Sequence, residues 1–301
     1  MEGTAAVHFW SSWFFLLRFS IIRLIQVRQT VAIAFGLLMV CCLITFLITS
    51  RFGWDRTSAR LQKNNPLVLQ FVAGSIAGPA IDNSPLMESI RLESKPLAVF
   101  SRWMVFFIFL GFLLPLWSLC FAVSALGADR ENRSLIWLLT RPLSRQSIYL
   151  AKFISLLPWC LLFNIGGFFL ICLCGGLTGL KAFSLYFPAI IAGTVAFSAI
   201  FHLIAAIAPK PAIVGMLYGF FFETILSELP VPGTVKRLSV NYYVRCLMYS
   251  AAQGENVPTE ASFLFVPVSD TIAWVILLGS TIAITLIGMW LFARHEYREE
   301  S

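Results

Sequence analysis

Long apolar stretches separated by short polar ones run the length of this chain. They occupy residues 30–50, 97–126, 147–174, 183–208, 212–228 and 270–293, and each has at least the roughly 17 residues an α-helix needs to cross a bilayer. Hydrocarbon offers backbone N–H and C=O groups no partner, so these stretches predict helices. Pro115 in the second and Pro158 in the third predict a bend or local opening, because proline lacks an N–H and crowds the preceding turn. Gly175–Lys181 and Pro209-Lys210-Pro211 read as sharp turns. Residues 51–96 and 229–269 form longer polar loops, and within the second Tyr242, Tyr243, Val244, Leu247 and Met248 are spaced to pack a short helix onto the membrane part.

Ahead of the first span, His8–Gln29 is apolar but interrupted by Arg18, Arg23 and Arg28. At about 100° per residue, Ser11, Ser12, Arg18, Arg23, Gln26 and Gln29 gather in one arc, with Phe and Trp side chains over most of the rest. That pattern predicts a helix lying in the membrane interface over 8–29. The arginines and the lack of a small-residue cleavage site count against a span or a signal peptide.

Between the second and third spans sits GADRENRSLIWLLTRPLSRQSIYLAK, with charges of both signs around a short apolar core. Such an insert cannot enter hydrocarbon, so it lies in water or against another protein. Asp129 and Glu131 fall in the first turn of a short helix, where the dipole favours carboxylates. Glu131, Leu135, Leu138 and Leu139 share one face of it. Pro142 ends it near Thr140, Ser144 caps the next helix, and that helix enters the membrane after Arg145.

Composition agrees with this frame. The 301 residues are 58% hydrophobic and only 12% charged, far more apolar than a soluble domain. The fold class that follows is an all-α integral membrane protein with about six transmembrane helices, forming a single domain over 1–301. The net charge of +7 is spread along the chain, which suits lipid headgroups rather than nucleic acid. With residues 127–152 placed in the cytoplasm, half of the 22 basic residues lie on each side. The cytoplasmic half is packed into shorter stretches near helix ends, where charge bias has most force.

Catalytic signatures are missing. The sequence holds no G-x-x-x-x-G-K-[ST] loop, no H-E-x-x-H and no G-x-S-x-G, so ATP binding by a P-loop and hydrolase chemistry lack their residues. Six of the seven cysteines fall in apolar runs and read as small buried hydrophobes, with Cys246 alone in a loop. His8, His202 and His295 are too dispersed for a metal site, and no metal is expected. Polar residues inside spans are then the candidates for a translocation pathway: Glu223, His202 and Asn164. An unpartnered carboxylate in lipid costs several kcal/mol, so Glu223 must face the interior, a partner or the interface. His202 and Asn164 are suited to hydrogen bonds between helices.

The insert resembles the cytoplasmic loop of ABC-2 type transporter permeases. The family's acidic-x-acidic-x-Gly-Thr-Leu stands here as Asp129-Arg130-Glu131-Asn132-Arg133-Ser134-Leu135, with Arg133 in the glycine's place. Its Leu-Leu-x-x-Pro-x-x-Arg stands as Leu138-Leu139-Thr140-Arg141-Pro142-Leu143-Ser144-Arg145, and Lys152 follows. A weaker likeness covers Leu229–Leu247 before the last span. The resemblance implies that 127–146 is a coupling helix, with Asp129, Glu131, Arg133, Leu135, Leu138, Leu139, Arg141, Pro142, Arg145 and Lys152 docking a separate ABC ATPase subunit, and that 8–29 is an elbow helix. It also implies a second permease copy or paralogue, ATP and Mg bound by the ATPase rather than by this chain, cytoplasmic termini in a multi-pass cell-membrane protein, and export. Readings from other classes are a non-transporting anchor or regulatory subunit of an ATPase assembly, and an ATPase-independent transporter.

Overall fold

A computed structural model describes residues 13–22, 28–51, 53–54, 96–127, 144–225, 233–255, 257 and 265–294. The protein is an all-α integral membrane protein, and no strand occurs among the described residues. Its helices are α1 (Trp13–Ile22), α2 (Arg28–Arg51), α3 (Pro96–Leu126), α4 (Arg145–Cys174) and α5 (Gly176–Ile207). They continue with α6, which is α-helical over Pro211–Leu217 and wider over Tyr218–Ile225, α7 (Gly233–Lys236), α8 (Val240–Ala251) and α9 (Asp270–Arg294). Among the described residues, α2, α3, α4, α5 and α9 are long and apolar enough to cross a membrane. The stretch expected as the fifth of six spans, 212–228, contains α6, whose 15 described residues reach about 22 Å.

Sequence chemistry accounts for the special points. Ahead of Pro115, residues Ser101–Leu113 are wound as a π-helix, and the Leu114 N–H bonds back to Phe109 O, five residues away. Pro115 offers no N–H to the turn before it, and widening that turn accommodates the gap. Pro158 and Pro188 lie inside α4 and α5, both of which continue past them. The turn between α4 and α5 is far tighter than the glycine-rich stretch 175–181 suggests, since α5 already begins at Gly176. Gly176 adopts φ +66°, a region that side chains rarely occupy. A Cβ on Gly175 would press on the Phe100 ring, and one on Gly179 would run into the backbone of Cys172.

The core is built from aromatic and small residues where α3, α4 and α5 meet, with Trp117, Phe109, Phe168, Phe197 and Phe201 fully enclosed. Glycines allow the close approaches: Gly167 of α4 meets Trp117, and Gly193 of α5 meets Val244 of α8. By contrast α2 and α9 bury only about a fifth of the residues in their apolar stretches and present Phe35, Met39, Phe46, Val275, Ile282 and Leu286 outward, as expected where the solvent is acyl chain. All seven cysteines are free, and Cys246 lies buried in α8 rather than in a loop.

One end of the bundle, called here the near end, carries the ends of α3, α5 and α9 and the start of α4. There the small α1 packs Leu16 into a cluster with Leu126, Ile148, Tyr149, Ala205 and Phe292. The Trp13 indole N–H donates to Ser147 O at 3.2 Å, and the Trp159 N–H to Ile21 O at 3.1 Å. Phe14, Phe15, Phe19 and Ile22 on the other side of α1 are exposed.

Candidate functional site

The insert between α3 and α4 carries most of the expected docking residues. Asp129, Glu131, Arg133, Leu135, Leu138, Leu139, Arg141 and Pro142 lie outside the described residues. Arg145 and Lys152 are placed. Ser144 caps α4, accepting from the Ser147 N–H at 3.2 Å. Arg145 reaches the Ala293 carbonyl at the end of α9, 3.4 Å away. Lys152, two turns into α4, is 3% exposed.

Lys152 and His202 come from different lists of expected residues, yet the fold brings them within electrostatic reach of each other. His202 of α5 is fully buried, with its Nε2 3.4 Å from the Tyr149 carbonyl. Its ring lies 4.5 Å from that of Tyr149 and 5.7 Å from that of Phe153. Tyr149 in turn lies 5.8 Å from Phe292 of α9. The first two turns of α4 thereby touch α1, α5 and α9 at once. A displacement of the α4 terminus therefore passes directly to three other helices, because packed interiors transmit strain.

Asn164 sits mid-helix in the core. Its Nδ2 donates to Cys160 O at 3.0 Å and, across to α3, to Ser118 Oγ at 3.4 Å. Its Oδ1 has no partner among the described residues.

Glu223 is the most completely engaged of the three intramembrane candidates. Oε1 accepts from Tyr218 Oη at 2.6 Å and from the Val240 N–H at 3.1 Å. Oε2 accepts from Ser239 Oγ at 2.6 Å and from the Asn241 N–H at 3.0 Å. Val240 and Asn241 are the first two residues of α8, and the Ser239 side chain makes no cap of its own there. The carboxylate of α6 therefore caps α8 from 17 residues earlier in the chain, at the end where the helix dipole is positive. Of the surroundings open to it, Glu223 faces the protein interior, where it is fully buried.

The sequence that forms these long apolar helices matches a known family. The chain fits the profile of the ABC-2 family transporter proteins over residues 25–297. It belongs to the ABC-2 transporter family. A comparison with curated proteins gives no match. Membership makes the chain a membrane permease component of an ABC transporter.

Within this ABC-2 protein, reading the sequence missed Tyr218, Ser239 and Asn241, the partners of Glu223. Ser239 did carry a signal, since a serine before an apolar helical run is a cap candidate. The pairing of that cap position with a carboxylate 16 residues earlier leaves no local trace. Among the described residues no three His, Cys, Asp or Glu side chains gather as a metal site would require.

Proposed function

We propose that this chain is the permease of an ATP-driven exporter, engaging a separate ABC ATPase through 127–146 and pairing with a second copy or a related permease. ATP and Mg²⁺ bind at the ATPase. In this reading the near end faces the cytoplasm, with both termini there, in a multi-pass cell-membrane protein. ATP-driven closure of the ATPase pair pushes on the helix around Glu131–Thr140, and the push enters α4 just after Pro142. Alternating access to a cavity beside the second permease follows. The observation that supports this reading most directly is that α4 starts at a capped Ser144 immediately after the insert and packs its first two turns on α1, α5 and α9.

The test is co-purification from native membranes of the wild-type chain and a Glu131→Arg, Leu138→Asp variant. A nucleotide-binding ATPase retained by the wild type and lost by the variant supports the docking role. A folded wild type that retains no ATPase overturns it.

A non-transporting anchor is the second reading, and the burial of Glu223, His202 and Asn164 favours it. Substituting the three separates the readings: at least one loss of flux marks a transporter, whereas an anchor tolerates all three.

A further inference from the structure

Residues 240–251 fall in the stretch 229–269, read from sequence as a polar loop with a short helix packed onto the membrane part, and α8 is such a helix, enclosed in the bundle. Every residue from Val240 to Tyr249 is buried, including Asn241 and Arg245. Three contacts fix how α8 lies along α5. Val244 meets Gly193, Tyr249 shares the Phe106 ring with Tyr186, and Glu255 beyond its end pairs with Lys181. The order along α5 is reversed, so α8 runs antiparallel to α5 from about its middle to the far end. The element before it, α6, meets α5 lower down, with Tyr218 6.1 Å from Phe201.

Thus α6 rises from the near end, and α8 starts afresh after the extended Ser239, at a level between Phe201 and Gly193. These residues stand roughly 9 and 21 Å from the near end of α5 at 1.5 Å per residue. At such depth the N–H groups of a helix start are costly to leave unpaired. The Glu223 carboxylate supplies the acceptors that a continuous helix would have drawn from its own preceding turn.

We propose that Glu223 is a positioning residue in a discontinuous membrane element, and that the outer half, α8, moves as a unit when this joint opens during transport. The proposal rests on the permease reading. A side chain can be withdrawn and returned without unwinding either half, whereas bending a continuous helix breaks its ladder. Beside the inner half, α6 and α3 meet along a shallow cleft lined by Gly111, Pro115, Leu119, Phe201, Gly215 and Gly219 among others, where glycines stand in for larger side chains. Asn241 Oδ1, buried next to the joint, has no partner among the described residues, an unmet acceptor that another arrangement of α8 can satisfy. With α8 seated, its side chains fill the far half between α5, α9 and residues 101–113.

Hydrogen exchange on the full chain in lipid nanodiscs, alone and with its ATPase, tests this. Without nucleotide, Glu223→Gln speeds exchange of the amides of 240–251 by roughly ten- to a hundred-fold, the loss expected when charge-assisted bonds to backbone N–H groups go, while α4 and α5 keep wild-type protection. Ser239→Ala retains the carboxylate and both N–H bonds, so it shifts the same amides less. In the wild-type complex, trapping with ATP and vanadate speeds exchange at 240–251. Unchanged exchange in Glu223→Gln, or a rise equal across all helices, overturns the joint. A joint that responds to Glu223→Gln but stays protected in the trapped complex overturns its role in transport. Failure of any ATPase to bind overturns the permease reading and leaves the nucleotide-free comparison intact.

Discussion

The hydroxyl end of Tyr149 on α4 occupies the space that a Cβ would take at Gly288 on α9. Tyr149 is fully enclosed, held also by the His202 and Phe292 rings, so it cannot swing away freely. Gly288→Ala should cost about 1–3 kcal/mol, the usual penalty of overpacking a tight core. Thermal denaturation in detergent checks this. Adding Tyr149→Leu should recover part of the loss, with a coupling of at least ~0.5 kcal/mol between the two sites. Additive losses would mean the two residues do not meet.

The glycines of this chain are not equivalent, and alanine substitution should sort them. Gly176→Ala should destabilise by about 1–2 kcal/mol, because its φ of +66° places a side chain in left-handed space. A Cβ on Gly36 or Gly279 meets nothing within 4 Å. At these helical positions alanine should be neutral or stabilise by roughly 0.5–1 kcal/mol. Melting temperatures of the three variants, measured side by side, decide it.

Ser144→Ala removes the side-chain acceptor at the start of α4 and should cost about 1 kcal/mol. The loss should be local. Amide exchange should rise in the first turn of α4 and stay unchanged at its far end near Cys174. Equal change along the helix would mean that the cap does not set where α4 begins.

His202→Phe keeps a ring between Tyr149 and Phe153 while removing both nitrogens, one of which has no partner among the described residues. The phenyl ring is larger than the imidazole by one ring atom, so the exchange should cost about 1–3 kcal/mol, the usual penalty of overpacking. ATP turnover of the assembled complex should hold if His202 serves packing alone. A folded variant with abolished turnover would assign the imidazole a part in coupling.

The sequence by itself determined the class of this protein and much of its local structure. Apolar runs of membrane length can only be helices in hydrocarbon, and the helical character of α2, α3, α4, α5 and α9 follows from that constraint. Local chemistry was equally direct at Ser144, whose cap depends on residues three positions apart. The widening before Pro115 is likewise a matter of one missing N–H. Tertiary structure decided what depends on residues distant in the chain. How deeply 240–251 packs into the bundle turned on Gly193 of α5, which lets it approach, and on a carboxylate from α6 at its start. For Glu223 the sequence left interior, partner and interface all open, because it shows the cost of a carboxylate in lipid but not the four donors. Burial of a charged group is a property of the assembled fold, since the partners that offset its desolvation arrive only when separate helices pack together.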